Sequence, residues 1–316
     1  MPEIEQENAT VVPEESSDLS FFDGPTTVVR FPPFDPKGPP RFEYAEHRYL
    51  GDYISLQMDD GSKKLGSDVL FTLKNKSLLR YGEINAFAGD FYGSYYPISD
   101  GTNFEYQCTR FSNVFWYLNE NESRTPGELP VLKDLMKEEV DLFNEAIRNH
   151  EDPSVAYSKL KDMTKKLINA TIGRPLTQPG YLGLAAINWD HFGEHAHIVY
   201  TAGHTLALRE ASKPDGNLNV AYTINAFANH FLEDSFSAGH VRTPRKQLHG
   251  TFDKSADYCA KYMHDEESAI GLAVTNKRGD KWHMYGDKKL KDDVDDQNAK
   301  LCLEAVQTSA DEVYAA

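Results

Sequence analysis

His230-Phe-Leu-Glu-Asp234-Ser-Phe-Ser-Ala-Gly-His240 is the stretch on which the reading of this chain turns. His230 and Asp234 are four residues apart, so on a helix they sit one turn apart on one face. His240 follows six residues after Asp234, past Ala238-Gly239, where the helix is expected to bend or stop. Phe and Leu surround the pair, and an imidazole and a carboxylate buried among them are costly without a cation or other partner. Two imidazoles and one carboxylate so close together suit Zn2+, which takes nitrogen and carboxylate-oxygen ligands.

Working outward, the apolar spacing predicts a helix over 219–238 carrying this stretch, with others over 190–212 and 253–273. A helix over 130–150 is predicted from Val131, Leu132, Leu135, Met136, Val140 and Phe143. Pro153 opens another that runs through Leu160, Met163, Leu167 and Ile168 to near Gly173. A last helix covers 297–315, and 43–54 reads as a helix broken at Gly51. Residues 61–128 are mixed short pieces, among them a helix opening at Tyr81 and a Gly-flanked turn carrying Asp90. Residues 274–296 read as a loop, and strand signals are sparse throughout. The fold expected is mostly α: one α-helical domain over 42–316. Residues 1–41 form an acidic, proline-rich arm, where Pro32, Pro33, Pro36, Pro39 and Pro40 block helix.

The 316 residues carry 49 acidic and 33 basic side chains, a net charge of −16. That balance argues against nucleic acid as the main partner, since phosphate backbones are held by Lys and Arg. It argues equally against a strongly anionic membrane. Cys108, Cys259 and Cys302 are too few for a disulfide framework or a cysteine metal site, and leave room for one bridge, Cys108–Cys259 or Cys108–Cys302. The N-terminus has neither the basic nor the apolar region of a signal peptide, and no apolar run approaches membrane-spanning length. The expectation is a cytoplasmic protein or one exported by a specialised route.

Further metal-ligand candidates come from four places. Asp190-His191-Phe-Gly-Glu-His195-Ala-His197, followed by His204, offers His191 and His195 one helical turn apart; His195, His197 and His204 are expected to be structural. Asp90 lies where glycine lets the backbone turn its carboxylate inward. Met263-His264-Asp265-Glu266-Glu267 has His249 upstream, and His47 stands alone.

These residues resemble the zinc-dependent phospholipase C and S1/P1 nuclease superfamily, which carries a His-x3-Asp-x5-His core on a helix. The wording is closest to the bacterial phosphatidylcholine-hydrolysing phospholipases of the Pseudomonas and Legionella type. Similar segments are Gly82 through Gly93 around Asp90, Asp190-His191-Phe, His230 through Arg245, Met263 through Glu267, and Asn276 through Asp287. The resemblance implies a helical phospholipase C-like domain with two or three zinc ions. Asp90, His191, His230 and Asp234 would hold the first. His240 would hold the second with either His264 and Glu267 or His249 and Asp253. Asp234 would bridge to a third with His47. Family members with a third zinc often ligate it through an N-terminal Trp, whereas this chain begins with Met and has Trp116, Trp189 and Trp282.

The implied chemistry is metal-activated attack of water on a phosphodiester, with Asp90 also accepting a proton from that water. Phospholipid is the implied substrate, met by transient contact with a membrane surface, and the products are diacylglycerol and a phosphoryl headgroup. Phe91 and Tyr92 are placed to contact a choline headgroup by cation–π attraction or to pack in the core. Arg242 and Arg245 are placed to contact phosphate or to anchor the loop after the metal helix. The alternatives are a P1-like single-strand nuclease and a catalytically altered scaffold that binds a lipid or small molecule.

Overall fold

The computed structural model describes residues 44–119, 127–160, 162–172, 178–250 and 254–316. The arm expected over 1–41 and the ligand candidate Asp253 lie outside them.

In chain order the elements begin with α1 (Tyr44–Tyr53), the hairpin β1–β2 (Ser55–Gln57, Lys63–Leu65) and the hairpin β3–β4 (Phe71–Thr72, Leu78–Leu79). Then come α2 (Tyr81–Phe87), α3 (Phe104–Asn119), α4 (Glu128–Asn149), α5 (Pro153–Tyr157), α6 (Met163–Ala170) and α7 (Tyr181–Ala186). A 3₁₀ turn, Trp189–His191, leads into α8 (Gly193–Ala211), α9 (Leu218–Asp234), α10 (Ala238–Arg242) and α11 (Arg245–Leu248). The chain ends with α12 (Lys254–Ile270), the hairpin β5–β6 (Leu272–Thr275, Lys281–Met284) and α13 (Asp296–Ala315). The fold is mostly α-helical. Its strands are antiparallel pairs, with Leu272 opposite Met284 in the last.

α9 is the central helix. The Asn217 side chain caps it by accepting from the Val220 N–H, satisfying one of the donors a helix start leaves open. It is buried on nearly every face, with Tyr222, Phe227 and Phe231 among the largest fully enclosed side chains. α8, α2 and α13 pack around it. The α8 crossing is close because Gly203 has no side chain: a Cβ there would meet the Phe111 ring of α3 and the Ala228 Cβ of α9. α4 turns Leu132, Met136, Val140 and Phe143 inward at helical spacing, while Val131 is about half exposed.

Several boundaries differ from the sequence reading. Gly51 does not break α1; a Cβ there would lie 2.6 Å from the Gly82 Cα, so the two glycines let α1 and α2 touch. The helix opened by Pro153 is two, α5 and α6. The stretch expected over 219–238 ends at Asp234, and His240 stands on the separate α10. The predicted loop over 274–296 holds most of the β5–β6 hairpin, whose alternation is too short to stand out from its charged neighbours. Cys108, Cys259 and Cys302 are all free, so no bridge forms among them. Among the described residues, no helix is long and apolar enough to cross a membrane.

Candidate metal centre

α9 presents His230 and Asp234 on one face, both buried, and five other segments close around them. α1 supplies His47, whose ring stacks on that of His230 at 4.0 Å between centroids. The turn after α2 supplies Asp90. There Gly89 takes φ +63°, and a Cβ on it would lie 2.5 Å from His191 Cε1. The 3₁₀ turn supplies His191. Its neighbour Asp190 pins that turn by accepting from the Ile98 and Ser99 N–H groups at 2.6 and 3.0 Å. α10 supplies His240, α12 supplies His264, and the segment after β6 supplies Asp287.

Three groups of these side chains bring ligand atoms within metal-binding reach of one another: Asp90, His191 and His230; His47, His230 and Asp234; His240, His264 and Asp287. Asp234 joins them. One of its oxygens lies 2.8 Å from His191 Nδ1 and 3.7 Å from His230 Nε2. The other lies 3.0 Å from His240 Nδ1 and 4.0 Å from His47 Nε2. Asp90 stands 3.8 Å from His191 Nε2 and 3.7 Å from His230 Nε2. Asp287 stands 2.9 Å from His264 Nε2 and 3.6 Å from His240 Nε2.

The ring nitrogens facing away from the centre are anchored. His47 Nδ1 meets the Glu233 carboxylate at 2.6 Å, and Glu233 is itself held by the Asn85 amide. His230 Nδ1 meets the Asn85 carbonyl at 3.1 Å, and His264 Nδ1 meets Asp265 at 3.0 Å. Asp287 accepts from the Ser237 hydroxyl at 2.6 Å. Such partners fix the tautomer and leave Nε2 pointing inward as a ligand.

The charges are set by burial and by one another. Burial pushes the Asp90 carboxyl up to about 6, against the pull of His191. Burial and the nearby His47 hold His230 well below its ordinary range, so it stays neutral with a lone pair to give. Burial works to lower His47 and His240 as well. The acids around them win: Glu233, Asp234 and Asp90 raise His47 to about 9, and Asp287 and Asp234 raise His240. Asp234 and Asp287 are held ionised against burial by the imidazoles beside them. A field that holds protons on two buried imidazoles also favours a divalent cation. His240 Nδ1 is buried and has no hydrogen-bond partner among the described residues, because its approach to Asp234 is poorly aligned. The donor set fits a metal that takes imidazole nitrogen and carboxylate oxygen.

Of the residues singled out in the sequence, Asp90, His191, His230, Asp234, His240, His264 and His47 meet here, and others do not. Glu267 turns from His264 to Arg242, which donates to it at 2.9 and 2.5 Å; the carboxylate facing His264 is Asp287. His249 lies beside Asp257 and Trp189, outside the three groups. His191 and His195 are not one turn apart on a helix, because Gly193 at φ +52° starts α8 between them. His204 is structural, bonded to Asn225 and Glu312 at 2.7 and 2.9 Å. Phe91 and Tyr92 are core side chains packed on Phe87, away from any headgroup. Arg245 is a loop anchor, donating to Asn188, Asp257 and the Ala185 and Ala186 carbonyls.

Asp287, Glu233, Asn85 and Asp265 were not assigned these roles from sequence. Two of them, Glu233 and Asp265, carry a visible signal in standing next to a candidate ligand.

A cleft of about 680 Å3 opens from the centre. Tyr181, Leu182, Leu184, Ala185 and Ala186 line one side, and Asp257, Tyr258, Ala260, Lys261 and Asp265 another. No family model, curated protein or solved structure matches this chain.

Proposed function

We propose that the protein is a zinc-dependent phosphodiester hydrolase of the phospholipase C kind. It would cleave phosphatidylcholine-type phospholipids to diacylglycerol and a phosphoryl headgroup. The observation that carries this reading is Asp234, a buried carboxylate reached by His191 at 2.8 Å and His240 at 3.0 Å from opposite oxygens. That is the arrangement a cluster of cations requires and an apolar core does not. Asp90, His191, His230 and Asp234 would hold one zinc, and His240, His264 and Asp287 a second. His47 with Asp234 offers a third place that needs no N-terminal Trp.

The chemistry supplied by such ions is a water acidified to near neutrality and neutralised charge on the phosphoryl oxygens. The chain's own residues do the rest. Asp90 borders the cleft, and its carboxyl, pushed up to about 6, is matched to taking a proton near neutrality. Glu233, Asn85 and Asp265 hold the imidazoles in place. The α7 side of the cleft supplies apolar surface suited to the glycerol and acyl end of a lipid. Arg245 and Lys261 are already paired with Asp257 and Asp265, so the cleft lacks the basic lining a nucleic-acid strand would call for.

The test is a metal count on chelator-washed, zinc-reloaded protein, followed by release of the phosphoryl headgroup from phosphatidylcholine. Two or three zinc ions per chain are expected, lost on chelation with a fall in Tm. His230→Ala is expected to lower that count. Asp90→Ala is expected to cut hydrolysis by about 100-fold or more. Protein that takes up no zinc overturns the reading.

A further inference from the structure

Lys288 follows Asp287 directly and lines the same cleft. Its backbone sits at φ +73°, in the left-handed region that glycine enters freely and other residues rarely adopt. Among the described residues, four that are not glycine take a positive φ: Lys76, His150, Asp162 and Lys288. His150 and Asp162 flank helices as caps, and Lys76 lies in the β3–β4 turn. Lys288 alone of the four borders the cleft.

The conformation is held from a distance. Glu46 on α1, only 6% exposed, accepts from the Lys288 N–H at 2.8 Å with one oxygen and from the Leu290 N–H at 2.9 Å with the other. Glu46 precedes His47, so one turn of α1 both faces the metal centre and clamps this segment. Strained backbone that the surroundings over-determine points to a role for the side chain it carries. Here the side chain is an ammonium in a cleft otherwise lined by Asp90, Asp234, Asp257, Asp265 and Asp287. The other two cations bordering it, Arg245 and Lys261, are paired with Asp257 and Asp265.

We infer that Lys288 is an anion-binding residue of the cleft that contacts phosphoryl oxygen, and that Glu46 is the positioning residue that holds it there. The inference rests on the phosphodiester reading only for the identity of the anion. A lysine suits the task as a point charge on a flexible stem. Phosphodiester substrate, phosphomonoester product and free phosphate share the chemistry.

The test is calorimetric titration of inorganic phosphate into the zinc-loaded full-length chain, with zinc counted in every sample and phosphatidylcholine hydrolysis measured alongside. Lys288→Met and Lys288→Gly are expected to weaken phosphate binding about tenfold or more with the zinc count unchanged, and Lys288→Arg to restore most of it. Lys288→Gly is expected to keep or raise the Tm, because it relaxes the backbone. Glu46→Gln keeps one good acceptor of two and is expected to weaken phosphate binding in the wild type. In the Lys288→Gly background it should have no further effect, which a merely structural role would not produce.

Wild-type protein that hydrolyses lipid but binds phosphate indifferently to residue 288 overturns the inference and leaves the phospholipase reading standing. Lys288-dependent phosphate binding by a chain that hydrolyses nothing upholds the inference and overturns that reading. Substrate and phosphate sources separate in the same set: a role toward substrate raises KM in Lys288→Met, whereas a site for phosphate alone leaves KM unchanged and overturns the substrate contact.

Discussion

At Gly89 the chain gives up a side chain so that His191 can reach the centre. The glycine takes φ +63°, and a methyl there would fall 2.5 Å from His191 Cε1. Gly89→Ala therefore forces a left-handed alanine, costing about 1–2 kcal/mol, and displaces an imidazole that faces both Asp90 and Asp234. A misplacement of about 1 Å in such a site costs about 100-fold in rate. The expected outcome is a fall in phosphatidylcholine hydrolysis of that order together with a lower zinc count. Hydrolysis at the wild-type level would mean that His191 is not where the chemistry happens. At this scale the sequence was readable where ligands stand close in the chain, as His230 and Asp234 do. Asp287 was not, because nothing local separates it from the acids that follow it, Asp292, Asp293 and Asp295. What selects Asp287 is contact with Ser237, His240 and His264, all from other segments.

At the scale of elements, the centre depends on how closely α8 and α9 approach, and Gly203 sets that distance. Its missing Cβ leaves room for the Phe111 ring and stands 2.7 Å from where the Ala228 Cβ lies. Gly203→Ala overpacks this three-helix junction and is expected to destabilise the fold by about 1–3 kcal/mol. In a thermal melt that appears as a Tm lowered by several degrees. A second change, Phe111→Leu, makes space at the same point and should recover part of the loss. An unaltered Tm for Gly203→Ala would show that α8 shifts freely and that the crossing is not fixed. Periodicity revealed α4, α8, α9, α12 and α13 to within a few residues. It did not reveal α3, whose Phe-Glu-Tyr-Gln-Cys-Thr-Arg-Phe opening mixes aromatic and polar residues without a clear stripe. Nor did it place the break between α9 and α10, which no proline marks.

Across the whole molecule, the pH response comes from acids the fold has buried. Glu139 on α4 is 1% exposed and accepts from the Ala45 N–H at 2.9 Å. Burial pushes its carboxyl from 4.5 up to about 8. The folded state thus holds this proton more tightly than the unfolded chain does. Its contribution to stability is full below about 4.5 and is lost as the pH rises through about 8. Glu139→Gln keeps an acceptor for Ala45 and removes the titration. Denaturant melts across this range should show wild type losing ground to the variant by up to a few kcal/mol as the pH rises. Parallel profiles would mean that Glu139 is ionised in the folded state.

The sequence by itself determined a mostly helical chain and a metal-capable imidazole–carboxylate pair on one helix face. Both follow from spacing along a helix of 3.6 residues per turn, which any local stretch displays. Only the tertiary structure decided that His264 answers to Asp287 rather than Glu267, that Phe91 and Tyr92 belong to the core, and that Glu46 reaches across to Lys288. Those outcomes depend on which segments return to the same place. Glu267 shares a helix with His264, yet the Arg242 guanidinium takes it. Asp287 is far along the chain, yet the β5–β6 hairpin carries it back to α10, because chain neighbours are set by spacing and ligands by packing.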